Sequence, residues 1–347
     1  MRRKCGTTEG ACMSLVKTAL SLAMGLAFTA LPVLAHARCT GDDLRPALLP
    51  EERAEVDARV AAMPYPTGNH WIARRGTETI HLVGTIHLSD PRLDAPVERI
   101  APLLDDAATL LLEMSGTDRE AMEASIASDP AMFMLSDGSL PDLLSEDEWQ
   151  QLSGAMAARG MPAFVGARMQ PWYVSMLLSV PACMKDLLEQ DDGLDVRLEA
   201  LAEEKGVPTR SLEPWDTGLA LFAAVPMEAQ LSMIRSALAP ADVNEDLFET
   251  IISTYFEEAH AESQVVLEVL SPRLTPLGEA EADTVFDTVN GAMINARNRA
   301  WIPVILDTLD STDGTVIAAF GAAHLSGEEG VLNLLAEEGF ELERAPF

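Results

Sequence analysis

Short apolar runs near both ends of the chain predict the strands of one sheet. Each run is bounded by glycine, proline or charged residues, a pattern typical of buried or half-buried strands. The predicted strands cover residues 70–73, 78–83, 109–112, 208–212, 316–320 and 341–344. The run Thr-Leu-Leu-Leu at 109–112 has no polar face, which predicts a strand that is covered on both sides of the sheet.

Apolar residues at helical spacing predict helices between these strands. Pro50 in a first turn opens one helix, and Ser145 with Glu148 has the spacing of a capping box that opens another. The helical patterns cover residues 50–63, 95–105, 145–158, 193–204, 227–270, 279–309 and 328–338, and a further one begins at Pro171. The longest patterns lie in the middle of the chain, which is therefore predicted to be mainly helical.

Strand–helix units at both ends, with helices between them, predict an α/β protein. We expect a central mixed sheet formed by both ends of the chain and flanked by helices. The helix-rich middle would form a cap over approximately residues 118–205 and 215–310. No short repeat or low-complexity linker interrupts residues 38–347, so they are predicted to form one domain.

A secretory signal peptide is predicted over residues 1–37. Basic residues at 2–4 precede an apolar run over residues 19–34, and Ala35-His36-Ala37 has the A-x-A cleavage pattern. We therefore expect a periplasmic or secreted protein without stable membrane insertion after cleavage. The alternative is an uncleaved anchor, which the short run and its Pro32 disfavour.

The chain is strongly acidic, with a formal net charge of −31. Signal cleavage would make it more negative, and such a field repels nucleic acid and anionic membrane surfaces. Cys39 and Cys183 are the cysteines that would remain after cleavage. An oxidising compartment permits a disulfide between them, and two separate thiols are the alternative, because sequence does not give their distance.

Four predicted strands end in, or lead to, residues that can bind a metal ion. His87 follows the second strand, Glu113 and Glu213 end the third and fourth, and His324 follows the fifth. Ligand sites in open α/β sheets form beyond the carboxyl ends of the strands. Two imidazoles and two carboxylates at one such edge would suit a divalent ion with an open position.

The two histidines occur in the same local pattern. Residues 84–88 read Gly-Thr-Ile-His-Leu and residues 321–325 read Gly-Ala-Ala-His-Leu, each after an apolar strand. Glycine permits a sharp turn and the close approach of a ligand. One such pattern often marks a histidine that only caps a turn. Two copies with acidic partners favour a shared functional site.

These segments resemble the TraB/PrgY/GumN family, which includes the TIKI metalloproteases. The resemblance rests on the two segments that contain the G-x-x-H patterns, residues 81–88 and 321–327, and on four shorter elements. These are the Leu-Leu-Leu-Glu of residues 110–113, Gly193-Leu194-Asp195, Leu212-Glu213 and Arg297-Asn298. It covers roughly residues 65–347. The resemblance implies a fold of the erythromycin-esterase/ChaN type and, by likeness to TIKI members, metal-dependent cleavage of peptide bonds.

Specific roles follow from this hypothesis. His87 and His324 would bind a divalent ion (Zn, Mn, Co or Fe) through neutral imidazole nitrogens. Glu113 would be a further ligand or the general base that deprotonates a metal-bound water, and Glu213 is the alternative base or ligand. Arg297 would stabilise negative charge on the carbonyl oxygen of the substrate.

Each of these residues also has a structural interpretation. Glu113 and Glu213 are, on that interpretation, ordinary acids at strand ends. Arg297 would then simply pair with a nearby acid such as Asp287 or Glu281.

Two further polar residues are less specific. Asn298 is a candidate to orient a ligand or the substrate, whereas Asp195 is expected to cap or solvate a helix rather than to bind metal. The acidic stretch 186–204 is expected to be a solvated helix face.

The leading functional prediction is a metal-dependent hydrolase of peptidase or amidase type with a peptide or small-molecule substrate. One alternative is a non-catalytic binding or accessory protein that sequesters a peptide or assists an exopolysaccharide pathway. The other is a haem or iron binder of the ChaN type.

Overall fold

A computed structural model describes residues 39–184 and 190–347. The predicted signal peptide and part of the acidic stretch 186–204 lie outside these residues. The described strands are β1 (His70–Arg75), β2 (Glu78–Thr85), β3 (Ala107–Leu112), β4 (Thr209–Ser211), β5 (Thr315–Gly321) and β6 (Glu341–Arg344). They form one mixed sheet in the order β4-β3-β5-β2-β1-β6, which confirms the predicted α/β class.

The pairing brings the carboxyl ends of four strands to one edge of the sheet. β2 and β3 both pair in parallel with β5, and β4 pairs in parallel with β3. β1 and β2 form an antiparallel hairpin whose turn contains Gly76 at φ +60°. β6 pairs antiparallel with β1 on the far side. The parallel strands β2–β5 therefore place the residues that follow them on the same edge.

The centre of the sheet forms the main core. Residues 316–320 of β5 are fully buried, as are Leu82, Val83, Leu110 and Leu111 of the neighbouring strands. These strands are apolar on both faces because helices cover both sides of the sheet. Each buried leucine or valine contributes about 1.5–3 kcal/mol relative to an exposed one.

Helices surround the sheet and form most of the middle of the chain. They are α1 (Pro50–Ala62), α2 (Asp94–Ile100), α3 (Gly116–Ser128), α4 (Leu140–Leu143), α5 (Glu146–Ala158), α6 (Ala163–Gly166), α7 (Pro171–Ser179), α8 (Leu194–Lys205), α9 (Thr217–Ala224), α10 (Met227–Ala237), α11 (Ala241–Phe256), α12 (His260–Leu274), α13 (Glu279–Asn290), α14 (Ala296–Ser311) and α15 (Val331–Glu337). The capping box of α5 is present, because the Ser145 hydroxyl accepts the Glu148 N–H and Glu148 accepts the Ser145 N–H.

The longest helical prediction, over 227–270, was wrong about continuity, whereas 279–309 is helical throughout, as predicted. The pattern over 227–270 forms α10, α11 and most of α12, with breaks at Pro240 and at Glu258, whose φ is +57°. The pattern over 279–309 is α13 and α14 joined by a π-helical turn, Gly291–Asn295. The helix predicted over 95–105 is α2 followed by a 3₁₀ segment that contains Pro102. Apolar spacing alone does not detect such changes of direction.

Cys39 and Cys183 form a disulfide, which answers the question that the sequence left open. Their Cα atoms lie 5.4 Å apart and 144 residues separate them in the chain. Closing a loop of this length removes entropy from the unfolded chain, which stabilises the fold by about 4–5 kcal/mol in the loop-closure model. The bond ties the first described residue to the 3₁₀ segment Ala182–Met184 of the helical cap.

In the described part of the chain, no single helix is long and apolar enough to cross a membrane. Among the described helices, only α9 and α10 taken together have the length and apolar composition of a membrane span, and the two helices are bent by 102° at their junction.

We predict that Gly84→Ala lowers the free energy of unfolding by about 1–3 kcal/mol, because an added methyl group would overpack this site. A Cβ atom on Gly84 would lie 2.6 Å from Leu325 Cδ1 and 3.0 Å from Ala322 Cβ. Urea unfolding followed by circular dichroism measures the change.

The matched control for this variant is Gly154→Ala. Gly154 lies in α5, and no atom within 4 Å would contact its Cβ. This control should raise the stability by about 0.5–1 kcal/mol through helix propensity. Equal stability of Gly84→Ala and the wild type would contradict the tight packing between the two G-x-x-H segments.

Candidate functional site

The two G-x-x-H segments lie side by side. Thr85 at the end of β2 pairs with Gly321 at the end of β5, and the two histidines follow. Gly84 packs directly on Ala322 and Leu325 of the second segment, which leaves no space for a side chain. Glycine is therefore required at Gly84 by close packing rather than by an unusual backbone angle.

The structure brings both imidazoles to one carboxylate, that of Glu113 at the end of β3. His87 Nε2 and His324 Nε2 each lie 3.9 Å from Glu113 Oε1. The backbone N–H of Gly321 donates to the same oxygen at 2.6 Å, which fixes the carboxylate between the two strands. Residues from three neighbouring strands thus meet at one point of the sheet edge.

Arg297 of α14 ties this carboxylate to Glu213, which follows β4. Its Nη2 donates to Glu113 Oε2 at 2.6 Å and to Glu213 Oε1 at 2.7 Å. Its Nε donates to both Glu213 oxygens, and Trp301 Nε1 donates to Glu213 Oε2 at 2.8 Å. The side chains of Glu113, Glu213 and Arg297 are at most 17% exposed. Arg297 pairs with these buried acids, and not with the alternative partners Asp287 and Glu281.

The outer nitrogens of both histidines are held by neighbouring side chains. His324 Nδ1 lies 2.6 Å from Asn298 Oδ1, and the Asn298 amide nitrogen donates to the carbonyl of Glu329 at 2.7 Å. This amide orientation assigns the proton to His324 Nδ1 and leaves Nε2 with its lone pair. His87 Nδ1 lies 3.0 Å from Asp195 Oδ2 at the start of α8. Asp195 was expected only to cap or solvate a helix, and its contact with His87 depends on tertiary structure.

The environments of the two histidines push their pKa values in opposite directions. Desolvation by surrounding protein disfavours charge on His87, although 59% of its side chain faces the open cleft. The hydrogen bond to Asp195 and the charges of Asp195 and Glu113 outweigh that effect and raise the pKa of His87 to about 9. Burial dominates at His324 and lowers its pKa to about 4, despite the nearby Glu113 charge.

Glu113 remains ionised over the whole physiological range. Burial raises the pKa of a carboxyl group, but the charges of His324, His87 and Arg297 and the Gly321 hydrogen bond lower that of Glu113 to about 2. The cleft therefore holds an ionised carboxylate between a charged imidazole at His87 and a neutral imidazole at His324 near neutral pH.

His87, Glu113, Asp195, Glu213 and Arg297 line a cavity of about 280 Å³, whereas His324 is buried behind them and does not line it. Met114, Arg119 and Met122 also line it and were not predicted from the sequence, and Asp191 belongs to the stretch 186–204 that was expected to be only a solvated helix face. Arg119 and Met122 lie on α3, which had no strong apolar pattern, and the side chain of Arg119 pairs with Glu199 and Asp191. The short spacing between Asp191 and the Gly193-Leu194-Asp195 element was the sequence feature from which a place for Asp191 near the site could have been predicted.

The donor types fit a divalent metal ion, whereas the arrangement of the side chains fits only in part. Imidazole and carboxylate groups suit Zn, Mn, Co or Fe, and outer nitrogens bonded to Asp195 and Asn298 are typical of metal-binding histidines. However, the described cleft residues do not bring three ligand atoms within 4.8 Å of one another. Among the described residues the group that does so is Cys39, Cys183 and Glu245, and its two sulfurs are bonded to each other.

Arg297 is the obstacle to a shared ion between the histidines. Its Nη1 lies 3.4 Å from His324 Nε2, on the side that faces Glu113. An ion bound by His87, Glu113 and His324 would require small shifts of the rings and of this guanidinium.

We predict that Arg297→Ala lowers the free energy of unfolding by about 3–5 kcal/mol. The substitution would leave the buried carboxylates of Glu113 and Glu213 without their shared counter-charge. Arg299→Ala is the matched control on the same helix, because Arg299 is 54% exposed and pairs only at the surface with Glu329. Arg299→Ala should lower the free energy of unfolding by less than about 1 kcal/mol, measured for both variants by urea unfolding. Similar losses in the two variants would contradict a central role for the Arg297 cluster.

Comparison with known proteins agrees with this geometry. A search of curated proteins found no match to the chain. A family model described as the TraB/PrgY/gumN family matches residues 69–344, which span every strand of the sheet and every residue of the cleft described above. The match confirms the resemblance seen in the sequence, and the chain belongs to the TraB/PrgY/gumN family.

Proposed function

We propose that the protein is an exported, metal-dependent hydrolase of peptidase or amidase type. The proposed ligands of its divalent ion (Zn, Mn, Co or Fe) are His87 and His324, with Glu113 between them as a further ligand or as the general base. The observation that carries the proposal is that both Nε2 atoms face the same Glu113 oxygen at 3.9 Å. A peptide or another small molecule with a scissile amide bond is the proposed substrate, and the cavity of about 280 Å³ beside these residues is its proposed binding site.

A divalent ion would supply an activated water and polarise the scissile carbonyl group. The chain would supply orientation. Asp195 holds His87 and Asn298 holds His324, so that both rings present Nε2 toward Glu113. Outer-sphere contacts of this kind fix ring orientation and increase the basicity of a ligand.

The contacts favour Glu113 over Glu213 as the general base. Both oxygens of Glu213 accept hydrogen bonds from Arg297, and one also accepts from Trp301. Glu113 Oε1 accepts only the Gly321 N–H among the described residues and faces the cleft between the imidazoles. We therefore assign proton transfer to Glu113, and assign to Glu213 the positioning of Arg297.

Arg297 is the proposed stabiliser of negative charge on the substrate carbonyl oxygen. Its guanidinium is 11% exposed, and the charges of Glu213 and Glu113 raise its pKa against the opposing effect of burial. A permanently charged, fixed donor beside the reacting group stabilises developing charge at little reorganisation cost. The contacts on Nε and Nη2 leave Nη1 as the nitrogen nearest to the histidines.

Export to the periplasm or beyond is part of the proposal. The predicted signal peptide supports it, and so does the Cys39–Cys183 disulfide, because such bonds persist mainly in oxidising compartments. The large negative charge suits a protein that does not bind nucleic acid.

We expect protein purified without an affinity tag to contain about one equivalent of a divalent metal, and a His87→Ala/His324→Ala double variant to lose it. Elemental analysis after dialysis measures the content. His81→Ala is the control, because His81 is a histidine of β2 that does not line the cleft. The proposed ligands would be excluded if the wild type and the double variant had equal metal contents. They would also be excluded if the wild type bound no metal after incubation with each candidate metal.

We also expect the metal-loaded protein to cleave members of a synthetic peptide mixture, with cleavage read by mass spectrometry. Glu113→Gln should reduce the rate by about 10²- to 10⁴-fold, because it removes the proton acceptor while keeping the shape of the side chain. Glu343→Gln, at a carboxylate that is 69% exposed on β6, should keep the wild-type rate. Stoichiometric metal without cleavage of any peptide would favour a non-catalytic binding protein.

A further inference from the structure

The helical cap contains a second, larger cavity that the proposed chemistry does not use. Its volume is about 400 Å³, and residues of α7 and of α9 to α13 line it. Phe222, Phe248 and Phe286 contribute aromatic surface, and Leu247 and Val289 contribute aliphatic surface. The volume lies within the range of cavities that bind small molecules.

The lining of this cavity is uncharged. No Asp, Glu, Lys, Arg or His contributes to it among the described residues, although 23% of the chain is charged. Several of its polar groups are already bonded to backbone carbonyls of the cap. Ser175, Ser179, Asn244 and Thr275 donate to such carbonyls. A charged ligand would find no counter-charge there, so the cavity suits an uncharged and largely apolar one.

One helix that borders the cavity also has an unusual composition. α9 carries no charged residue, and none of its residues is fully buried. A helix that is apolar on all sides is normally buried. Phe222 of α9 faces the cavity, so the helix separates an apolar cavity from solvent.

The cavity is linked through the chain to the site at the sheet edge. Glu213 is followed by Pro214 and, shortly afterwards, by α9. On the opposite side, α13 lines the cavity and continues through the π-helical turn Gly291–Asn295 to Arg297. α9 packs on this turn, and the Met293 carbonyl in the turn accepts a hydrogen bond from Arg297 Nη1.

We infer that this cavity binds an uncharged, apolar small molecule of acyl-chain or aromatic character. Binding would bury the ligand against the phenylalanine and aliphatic side chains, with few hydrogen bonds to the protein. The inference stands independently of metal binding or hydrolysis.

Fluorescence titration of the full mature chain with N-phenyl-1-naphthylamine tests the inference. This neutral aromatic probe should bind saturably with one site per chain. 1-Anilinonaphthalene-8-sulfonate has similar rings and a negative charge, and it should bind at least ten-fold more weakly. Equal affinity for the two probes would overturn the assignment of an uncharged ligand.

Two substitutions locate the bound probe. Val289→Trp on α13 fills the cavity, and Ser179→Trp at the exposed end of α7 narrows its opening. Each substitution should weaken binding of the neutral probe at least ten-fold. The Ser179→Trp protein should do so while keeping the thermal unfolding temperature of the wild type.

Phe164→Ala is the control, because Phe164 is the most exposed large apolar side chain in the described part of the chain, at 77%, and lies outside the cavity. Its affinity for the probe should equal that of the wild type. Two results together would show that the probe binds at the surface and not in the cavity. They are wild-type affinity in a folded Ser179→Trp protein and loss of binding in Phe164→Ala. No saturable binding by the wild type would also overturn the inference.

Discussion

The guanidinium of Arg297 joins the carboxylates that follow two neighbouring strands of the sheet. Glu113 and Glu213 are both largely buried, and two such charges cannot stay together without a shared cation. Arg297 supplies that cation from a helix more than 80 residues further along the chain, and it also lies 3.4 Å from His324 Nε2. This contact and the Gly321 N–H fix Glu113, toward which both imidazoles converge, while Asp195 and Asn298 hold the outer nitrogens of the two rings.

Local sequence signals predicted the sheet edge, and long-range contacts determined its chemistry. The β2 and β5 runs and the glycine before each histidine predicted that His87 and His324 follow strands that end at one edge of the sheet, and the structure shows that these strands are neighbours. The partner of Arg297 was not predictable, since Asp287 and Glu281 are closer in sequence than Glu113 and Glu213. The role of Asp195 was missed for the same reason, because its contact with His87 joins residues that are distant in the chain. The roles of these residues in catalysis stay predictions.

The helical middle shows a different limit of sequence analysis. Periodicity predicted helices over residues 227–270 and 279–309, but not where the first of these stretches is interrupted. The breaks have local causes in Pro240 and in the left-handed Glu258. Their effect is tertiary, because separate helices can surround a cavity that one continuous helix could not enclose. The disulfide was likewise undecidable from sequence, since only the fold brings Cys39 and Cys183 together.

The cap and the cleft are mechanically connected through the residues that carry the ion cluster. Glu213 leads into α9 and Arg297 follows α13, so any movement of these helices changes the geometry of the salt bridge between them. The π-helical turn joins α13 to the helix of Arg297, and its Met293 carbonyl accepts a hydrogen bond from Arg297 Nη1. A ligand in the cap that favours one packing of α9 and α13 would thereby favour one position of Arg297 relative to His324. That position determines how much room remains between the imidazoles, and hence whether a divalent ion can be held there.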